Sequence, residues 1–220
     1  MISSLMQHFS SIHFEEALSN QQKAISDTTG SYPMSFEEFL AHPHFDWPVE
    51  WVNGQVFRMA ETNALHHVTV DFIKDVVESF VHTQDLGMVC SAPFQVRLPR
   101  SSRCPDLSFI SSTRLDTVKD AYILGGPDIV VEVLSPFSAA QDRGEKFFEY
   151  EQAQIREYWL IDPQRQWAEF YALNRLGRYQ PSVVGDAGVF RSRTLRQFWL
   201  RLEWLWERPQ PKAILREMGI

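Results

Sequence analysis

One carboxylate, Glu132, stands inside the run Ile129 to Leu134, in which every other side chain is a branched aliphatic one. Burying a charge costs several kcal/mol unless the charge is paired or bound to a metal ion. A glutamate in an apolar strand therefore indicates a use for the charge. A metal site is one such use, and a structural ion pair with a nearby lysine or arginine is the alternative. The apolar run alone leaves both interpretations open.

Two aspartates are candidates to share a metal ion with Glu132, because the pair Pro-Asp occurs twice, as Pro105-Asp106 and Pro127-Asp128. Asp128 precedes Glu132 by four residues on the same predicted strand, which places it roughly 13 Å away at about 3.3 Å per residue. Asp106 begins the preceding predicted strand. Antiparallel pairing would place the start of that strand across from the end of the other. We therefore predict that Asp106 is the partner of Glu132 and that Asp128 is a strand-entry residue.

A lysine beside two metal-binding carboxylates can orient an attacking water or balance negative charge in a transition state. Lys146 is the candidate, in the run Asp142-Arg143-Gly144-Glu145-Lys146 on a helix predicted directly after the strand of Glu132. Asp142 and Lys146 are also four residues apart on that helix, the spacing of a surface ion pair worth about 0.3–0.5 kcal/mol. The spacing supports the catalytic and the surface-pair interpretations equally.

Local patterns predict the elements that would position these residues. Ser35 and Glu38 form a capping-box pattern, which opens a short helix that Pro43 ends. Asn53-Gly54 predicts a hairpin turn. The other predicted elements are hairpin strands at 49–52 and 55–59, an amphipathic helix at 65–80, strands at 88–98, 106–110 and 129–134, a helix at 141–152, strands at 157–161, 167–172, 178–184 and 190–206, and a tail helix after Pro209.

This order of elements predicts an α/β (α+β) domain built on one central sheet. The chain has 220 residues, enough for one domain that buries roughly 70% of its unfolded surface. We expect residues 1 to 33 to form a weakly ordered leader, since they lack sustained periodicity, and residues 34 to 220 to form a single domain. The content of 44% hydrophobic and 22% charged residues is typical of a globular protein.

The number of cysteines and the lengths of the apolar runs indicate the cellular compartment of the protein. Cys90 and Cys104 are too few for a disulfide framework and favour a reducing environment. The first twenty residues lack the basic and apolar regions of a signal peptide, and nowhere do about 18 apolar residues run together. The sequence therefore predicts a cytoplasmic protein with no membrane partner.

The net charge of −7 argues against a partner that is bound mainly by neutralising its phosphates. Residues 1 to 50 contain seven acidic residues and one lysine, so they carry −6 and the rest of the chain carries only −1. A local basic group, Arg97, Arg100 and Arg103, permits a nucleic-acid groove in this nearly neutral body. A solvated loop is an equally good interpretation of the same three arginines.

The motifs together, in their order and spacing, resemble the family described as putative restriction endonucleases, within the PD-(D/E)xK nuclease-like superfamily. The likeness covers nearly everything from about Ser35 to Trp206. The residues that carry it are Pro105-Asp106-Leu107, residues 126–136 around Glu132, residues 142–146 with Tyr150, residues 157–163, and, more weakly, residues 50–55, His66 and residues 199–202.

The resemblance implies a restriction-endonuclease-like core, a mixed sheet flanked by helices, that binds Mg²⁺ or Mn²⁺ and hydrolyses DNA phosphodiester bonds. At the matching positions Asp106 and Glu132 would be metal ligands, with the backbone carbonyl of Val133 as a third. The superfamily's lysine normally stands two residues after the glutamate, where this chain has Leu134. The family's recurring lysine on the next helix makes Lys146 the catalytic candidate here.

The same resemblance makes Glu50 and His66 candidate accessory residues. Glu50 precedes the predicted hairpin, in which Asn53 and Gln55 replace acids that are common in the family. His66 lies at the start of the long predicted helix, where a hydrogen-bonded structural histidine is the commoner outcome.

A hypothesis of a different class is a catalytically inactive relative that keeps the nuclease fold as a binding or assembly module. Such a module could be a homodimer through the aromatic C-terminal strands, which contain Trp199, Trp204 and Trp206. Core packing is the preferred interpretation of these tryptophans, because large aromatic side chains mostly supply buried area. The near-neutral charge and the presence of Leu134 where the superfamily has its lysine favour the inactive module, whereas the retained Asp106, Glu132 and Lys146 favour the nuclease.

Overall fold

The structure is a computed structural model that describes residues 30–42 and 45–220. The chain divides into two compact units, the first ending at Met59 and the second comprising Ala60–Ile220. The leader predicted over residues 1 to 33 lies outside the described residues except for its end, where Ser31–Pro33 form strand β1. The single domain expected over residues 34 to 220 stays a prediction.

The first unit contains a short helix and a small set of paired strands. The helix, α1, covers Phe36–Ala41, and the capping box is confirmed: Ser35 Oγ accepts from the backbone N of Glu38 at 3.2 Å and Glu38 Oε2 accepts from the backbone N of Ser35 at 2.8 Å. Helix α1 ends before Pro43, as predicted. Its buried side chain, Phe39, packs in one cluster with residues of the adjoining strands.

The Asn53-Gly54 hairpin is also confirmed. Strands β2 (Val49–Val52) and β3 (Gln55–Arg58) pair antiparallel, and β1 pairs with the other side of β3. Asn53 and Gly54 have φ angles of 49° and 83°. Positive φ at both central residues is what a two-residue type I′ turn requires, and this pair of residue types adopts it most readily.

The second unit contains the long helix, the remaining strands and the C-terminal helices. Its elements, in chain order, are α2 (Ala64–Thr83), β4 (Gly87–Ser91), β5 (Gln95–Arg97), β6 (Ser101–Arg103), β7 (Leu107–Ser111), the 3₁₀ helix η1 (Ser112–Thr117), β8 (Tyr122–Leu124), β9 (Ile129–Val133), α3 (Ala139–Gln141), the π-helical turn π1 (Asp142–Lys146), α4 (Phe147–Gln152), β10 (Glu157–Asp162), β11 (Trp167–Leu173), β12 (Tyr179–Gly185), β13 (Val189–Arg191), β14 (Trp199–Arg201), α5 (Trp204–Glu207) and α6 (Pro211–Met218).

The main sheet of this unit has the strand order β12-β11-β10-β9-β7-β4. Strands β9 and β10 are parallel, and the other neighbours are antiparallel. Separately, β5 pairs antiparallel with β6 and parallel with β8. The result is a mixed α/β fold with helices against a mixed sheet, which confirms the predicted fold class.

The two faces of the main sheet bury different helices. On one face, α2 contributes Ile73, Val76 and Phe80 to a core that includes Val131 and Trp159. On the other face, a second core joins side chains of β9, β10 and the helical segment after β9, namely Val130, Leu134, Leu160, Tyr158 and Tyr150. Alternation along β9 therefore places Glu132 on the second face, with Val130 and Leu134.

Two predicted strands differ from the structure. The strand expected over residues 88–98 is divided into β4 and β5 by a turn at Ala92-Pro93. The strands expected over residues 190–206 form the short hairpin β13–β14, after which the chain becomes helical at Trp204. Strands β6 and β8 were not predicted, because each has only three residues and forms through pairing with β5 rather than through a local pattern.

The C-terminal tryptophans pack on the core of α2 and the main sheet. Trp204 belongs to that core, Trp199 and Trp206 are partly buried against it, and the rings of Trp199 and Trp204 are 5.2 Å apart. Among the residues that the structure describes, no helix has both the length and the apolar composition needed to cross a bilayer.

Helix α4 is joined to β12 by Glu151, whose carboxylate accepts hydrogen bonds from Arg178 Nη1 and from the backbone N of Tyr179, both at 2.7 Å. These two bonds lower the pKa of Glu151. A carboxyl group with a lowered folded-state pKa contributes stability above its unfolded-state pKa and loses it as the pH falls through the folded-state value.

We predict that Glu151→Gln has a smaller free energy of unfolding than the wild type at neutral pH, and that the difference shrinks at a pH below about 4.3, the ordinary pKa of glutamate. Urea unfolding across this range, followed by circular dichroism, measures the difference. Glu78→Gln, in an exposed pair with Lys74, is the control and should have little effect. The prediction would be contradicted if the difference in free energy of unfolding between the wild type and Glu151→Gln did not change with pH.

Candidate active site

Strand register brings Asp106 and Glu132 together at one end of the main sheet. Strands β7 and β9 pair antiparallel with Leu107 opposite Val131. Asp106, which precedes Leu107, is therefore aligned with Glu132, which follows Val131. Aligned residues on neighbouring strands have Cβ atoms about 4.5–5.5 Å apart. The backbone N of Val133 also donates to Asp106 Oδ2 at 2.7 Å, which fixes this carboxylate at the end of β9.

The other Pro-Asp aspartate, Asp128, lies at the opposite end of β9. It is fully buried, and its carboxylate accepts hydrogen bonds from the backbone N of Ser111 at 2.8 Å and from Arg114 Nη1 at 3.1 Å. These contacts join the start of β9 to the end of β7. Asp128 is therefore a structural residue at the strand entry, as the sequence indicated.

Lys146 lies between two buried carboxylates. Its Nζ is 3.0 Å from Glu132 Oε1 and 3.1 Å from Asp142 Oδ1, and the exposed fraction of each of the three residues is at most 4%. The surface-pair interpretation of Asp142 and Lys146 is wrong in one respect, since the pair exists but is buried. A metal site and a structural ion pair were the alternatives for Glu132. The ion-pair partner that the structure gives Glu132 is Lys146, which is also the candidate catalytic lysine.

Two tyrosine hydroxyls complete this buried group. Tyr150 donates to Glu132 Oε1 at 2.9 Å, so the ammonium of Lys146 and the hydroxyl of Tyr150 bind the same carboxylate oxygen. Tyr158 donates to the backbone carbonyl of Asp142 at 3.0 Å. Burial, together with the carboxylates of Glu132 and Asp142, raises the pKa of Tyr158 well above its ordinary value, so this hydroxyl stays a donor.

The π-helical turn π1 begins with Asp142 and ends with Lys146, between α3 and α4. Such turns occur often at functional sites, because the extra residue changes which side chains face inward. Here both ends of the turn face the sheet, and the two charged residues are buried. Asp142, Lys146 and Tyr150 follow one another at intervals of four residues, so the shared helical face was visible in the sequence although its burial was not.

His66 reaches Asp106 from the first turn of α2. The N-cap residue Asn63 accepts from the backbone N of His66 at 2.9 Å, and His66 Nε2 is 3.2 Å from Asp106 Oδ1. Burial alone would lower the pKa of His66, but its bonds to the Asp106 carboxylate and the Val133 carbonyl outweigh burial and raise that pKa. Its Nδ1 is buried and has no hydrogen-bond partner within residues 30–42 and 45–220.

The remaining candidates are Glu50 and the basic group that includes Arg97 and Arg103. Glu50 is a buried residue of β2 in the first unit, opposite Phe57 of β3, and its accessory role stays a prediction. Two interpretations were open for the basic group, a nucleic-acid groove and a solvated loop, and neither holds for Arg103. This arginine is fully buried and binds Glu149 of α4 through Nε at 2.8 Å and Nη2 at 2.6 Å. Arg97 donates to backbone carbonyls within its own hairpin.

The chemistry of the oxygen donors suits a hard divalent cation. Within the described residues, no three side chains of His, Cys, Asp and Glu stand together in a way that could hold a metal ion. The predicted set needs only two carboxylates, Asp106 and Glu132, and the carbonyl of Val133, and such oxygen ligands are those that Mg²⁺ and Mn²⁺ prefer. The imidazole of His66 lies beside two members of this set, Asp106 and Val133.

The fold is shared with a class of proteins described as putative nucleases. A solved structure described as a putative nuclease belonging to DUF820, from Anabaena variabilis, matches this chain with a TM-score of 0.68 at 18% sequence identity. The match covers 80% of this chain and 99% of that one. At this level of identity the likeness concerns the fold alone.

The sequence identifies the family within this class. The family model described as Uma2, putative restriction endonuclease, matches residues 36–203, which is more than half of the chain. The chain therefore belongs to the Uma2 family of putative restriction endonucleases, and the predicted family is confirmed. No curated protein matches the chain.

We predict that Lys146→Met lowers the free energy of unfolding by about 3–5 kcal/mol, because it leaves the carboxylates of Glu132 and Asp142 buried without their cation. Urea unfolding in EDTA measures the change. The matched control, Lys74→Met, removes an exposed i,i+4 pair and should lower stability by at most about 0.5 kcal/mol.

A triple variant, Lys146→Met with Glu132→Gln and Asp142→Asn, should regain much of the loss, since it retains no uncompensated charge. An effect of Lys146→Met as small as that of Lys74→Met would contradict the buried ion pair.

Proposed function

We propose that this protein is a Mg²⁺- or Mn²⁺-dependent endonuclease that hydrolyses DNA phosphodiester bonds. The observation that carries the proposal is the alignment of Asp106 with Glu132 across β7 and β9, with the Lys146 ammonium 3.0 Å from Glu132 Oε1. Membership of the family is consistent with a nucleic-acid substrate. Cys90 and Cys104 are both buried, and a count of two cysteines suits a cytoplasmic protein.

In this proposal Asp106, Glu132 and the Val133 carbonyl hold the metal ion. The bound ion would polarise a phosphoryl oxygen and lower the pKa of a bound water. The backbone N of Val133 keeps Asp106 in place, and Tyr150 keeps Glu132 in place. Because these carboxylates are anchored by groups of the sheet and of α4, binding a cation would require little reorganisation of either.

Lys146 acts in the proposal as the catalytic lysine, carried by π1 instead of by the residue two positions after Glu132. Asp142 contacts its ammonium at 3.1 Å, in addition to the contact with Glu132. A fixed positive charge beside the scissile phosphate can orient water and stabilise the charge that develops in the transition state. His66 would serve as an accessory donor near Asp106, and Glu50 would be a second accessory residue.

A second candidate function is a catalytically inactive binding or assembly module, which as a homodimer could use the aromatic C-terminal strands. One observation favours it: His66 contacts Asp106, and Lys146 contacts both Glu132 and Asp142, so the charged groups of the site pair with one another. In such a module these contacts would serve stability alone. The two candidates differ in metal binding and in cleavage.

We predict that the wild type binds Mn²⁺ and nicks supercoiled plasmid, and that Asp106→Ala and Glu132→Ala lose both properties. Changes outside the ligand shell commonly cost 10–100-fold in metal affinity, so loss of a ligand should cost more than roughly 100-fold. Isothermal titration calorimetry measures Mn²⁺ binding, and gel electrophoresis measures nicking.

Asp71→Asn, an exposed carboxylate on α2, is the matched control for these two variants and should change neither property. A wild type that binds no Mn²⁺, or that nicks plasmid no faster than both alanine variants, would establish the inactive module instead. Sedimentation of the wild type then tests whether that module is a homodimer.

For Lys146 we predict a separation of the two properties. Lys146→Ala should retain Mn²⁺ binding, because the ligand atoms remain, and should lose nicking, because the charge beside the phosphate is gone. Circular dichroism at the assay temperature verifies that the variant is folded. Unchanged nicking in folded Lys146→Ala would assign Lys146 a structural role only.

A further inference from the structure

A cleft of about 320 Å³ opens beside the candidate active site, lined by Arg143, Arg165, Trp167 and Glu169. Arg143 lies next to Asp142 in π1, and the other three residues belong to the turn between β10 and β11 and to the start of β11. The cleft therefore adjoins the turn that carries Lys146.

Strand register places this cleft on the same face and near the same end of the sheet as Glu132. Glu132 is aligned with Leu160 of β10, and Leu160 is aligned with Glu169 of β11. At about 4.8 Å between strands, the backbones of Glu132 and Glu169 are roughly 10 Å apart. Trp167 lies two residues from Glu169 on the same face, opposite Asp162 and toward the end where β9 finishes.

The acidic groups around the cleft are occupied by Arg143. Its Nη2 is 2.8 Å from Glu169 Oε1 and 3.7 Å from Asp162 Oδ2, and Tyr171 donates to Glu169 Oε2 at 2.7 Å. By contrast, the side chain of Arg165 is 76% exposed and its Nε is 3.9 Å from Asp162 Oδ2, the outer limit of an ion pair. The cleft thus presents one solvated guanidinium group.

Trp167 is the aromatic residue of the cleft, and it is 40% exposed. Because Trp167 pairs with Asp162 at the first position of the β10–β11 hairpin, its backbone is fixed by the sheet. An exposed indole and a guanidinium in one cleft are the combination that single-stranded nucleic-acid sites use, where a base stacks on the ring and the phosphate binds the cation.

We propose that this cleft binds an unpaired nucleotide of the DNA strand that is cut, with its base stacked on Trp167 and a phosphate on Arg165. In a duplex both faces of each base are covered by neighbouring bases, so stacking on Trp167 requires an unstacked base. The substrate is therefore DNA that is single-stranded, or has a single-stranded segment, at a short distance from the cut. This inference rests on the proposed nuclease function and specifies its substrate.

The test is DNA binding in EDTA, where cleavage does not occur. Fluorescence anisotropy of a labelled oligonucleotide of about 12 nucleotides, a length within the range of single-strand binding sites, compares the single strand with its duplex. The wild type should bind the single strand more tightly. Trp167→Ala should weaken single-strand binding about tenfold, with Trp167→Phe retaining most of it, and should change duplex binding little.

Arg165→Ala should reduce the slope of log affinity against log salt by about 0.7, the value for one phosphate contact on a single strand. The controls are Leu176→Ala and Arg175→Ala, both exposed residues on the turn after β11, at the other end of that strand. Neither control should change binding by as much as twofold, a change well below the roughly tenfold effect expected for one stacked base.

The assignment of the cleft is overturned if the wild type binds no single strand or prefers the duplex. It is also overturned if Trp167→Ala binds the single strand as well as Leu176→Ala does. Failure of the nuclease proposal can be distinguished from failure of the cleft assignment. It would be seen as an absence of Mn²⁺-dependent nicking, and DNA binding in EDTA could still be interpreted. Conversely, intact nicking together with no effect of Trp167→Ala overturns the cleft alone.

Discussion

Lys146 is an ammonium group buried between the carboxylates of Glu132 and Asp142, and the arrangement around it depends on this one charge. Two carboxylates in a region of low dielectric repel one another, and each loses its hydration on burial. The cation between them, and the hydroxyl of Tyr150 on Glu132, supply the interactions that water would have supplied. Polar groups of π1 and α4 therefore help strand β9 to keep a glutamate among aliphatic side chains.

The position of those helical segments is fixed by contacts outside the candidate site. The buried guanidinium of Arg103 on β6 binds Glu149 of α4 through two nitrogen atoms, and Glu151 at the end of α4 binds Arg178 and the backbone of β12. These contacts fix α4 against two different strands. Since a hydrogen bond to Glu132 tolerates displacements of only a few tenths of an ångström, anchoring α4 at both places is what keeps Lys146 and Tyr150 in range.

Features set by neighbouring residues in the sequence could be predicted, and features set by distant contacts could not. The turn at Asn53-Gly54 and the periodicity of α2 need no knowledge of the rest of the chain. The alignment of Asp106 with Glu132 also followed, because the rise per residue of a strand excluded Asp128. The burial of Asp142 did not follow, since a four-residue spacing places it on the same helical face as Lys146 without saying which way that face points. The break of the strand at residues 92–94 depends on separate pairing partners for β4 and β5.

The charges of the site give a physical reason why a divalent ion suits the proposed function. With Asp106, Glu132 and Asp142 ionised, and with Lys146 and His66 protonated, the group carries one negative charge. Burial lowers the pKa of His66, but contact with the Asp106 carboxylate outweighs burial and raises that pKa. A divalent cation bound by Asp106 and Glu132, with His66 neutral and turned aside, would bring the same group to neutrality, whereas a monovalent cation would leave a negative charge buried. Because uncompensated buried charge is costly, this balance favours a divalent ion over a monovalent one at the proposed metal site.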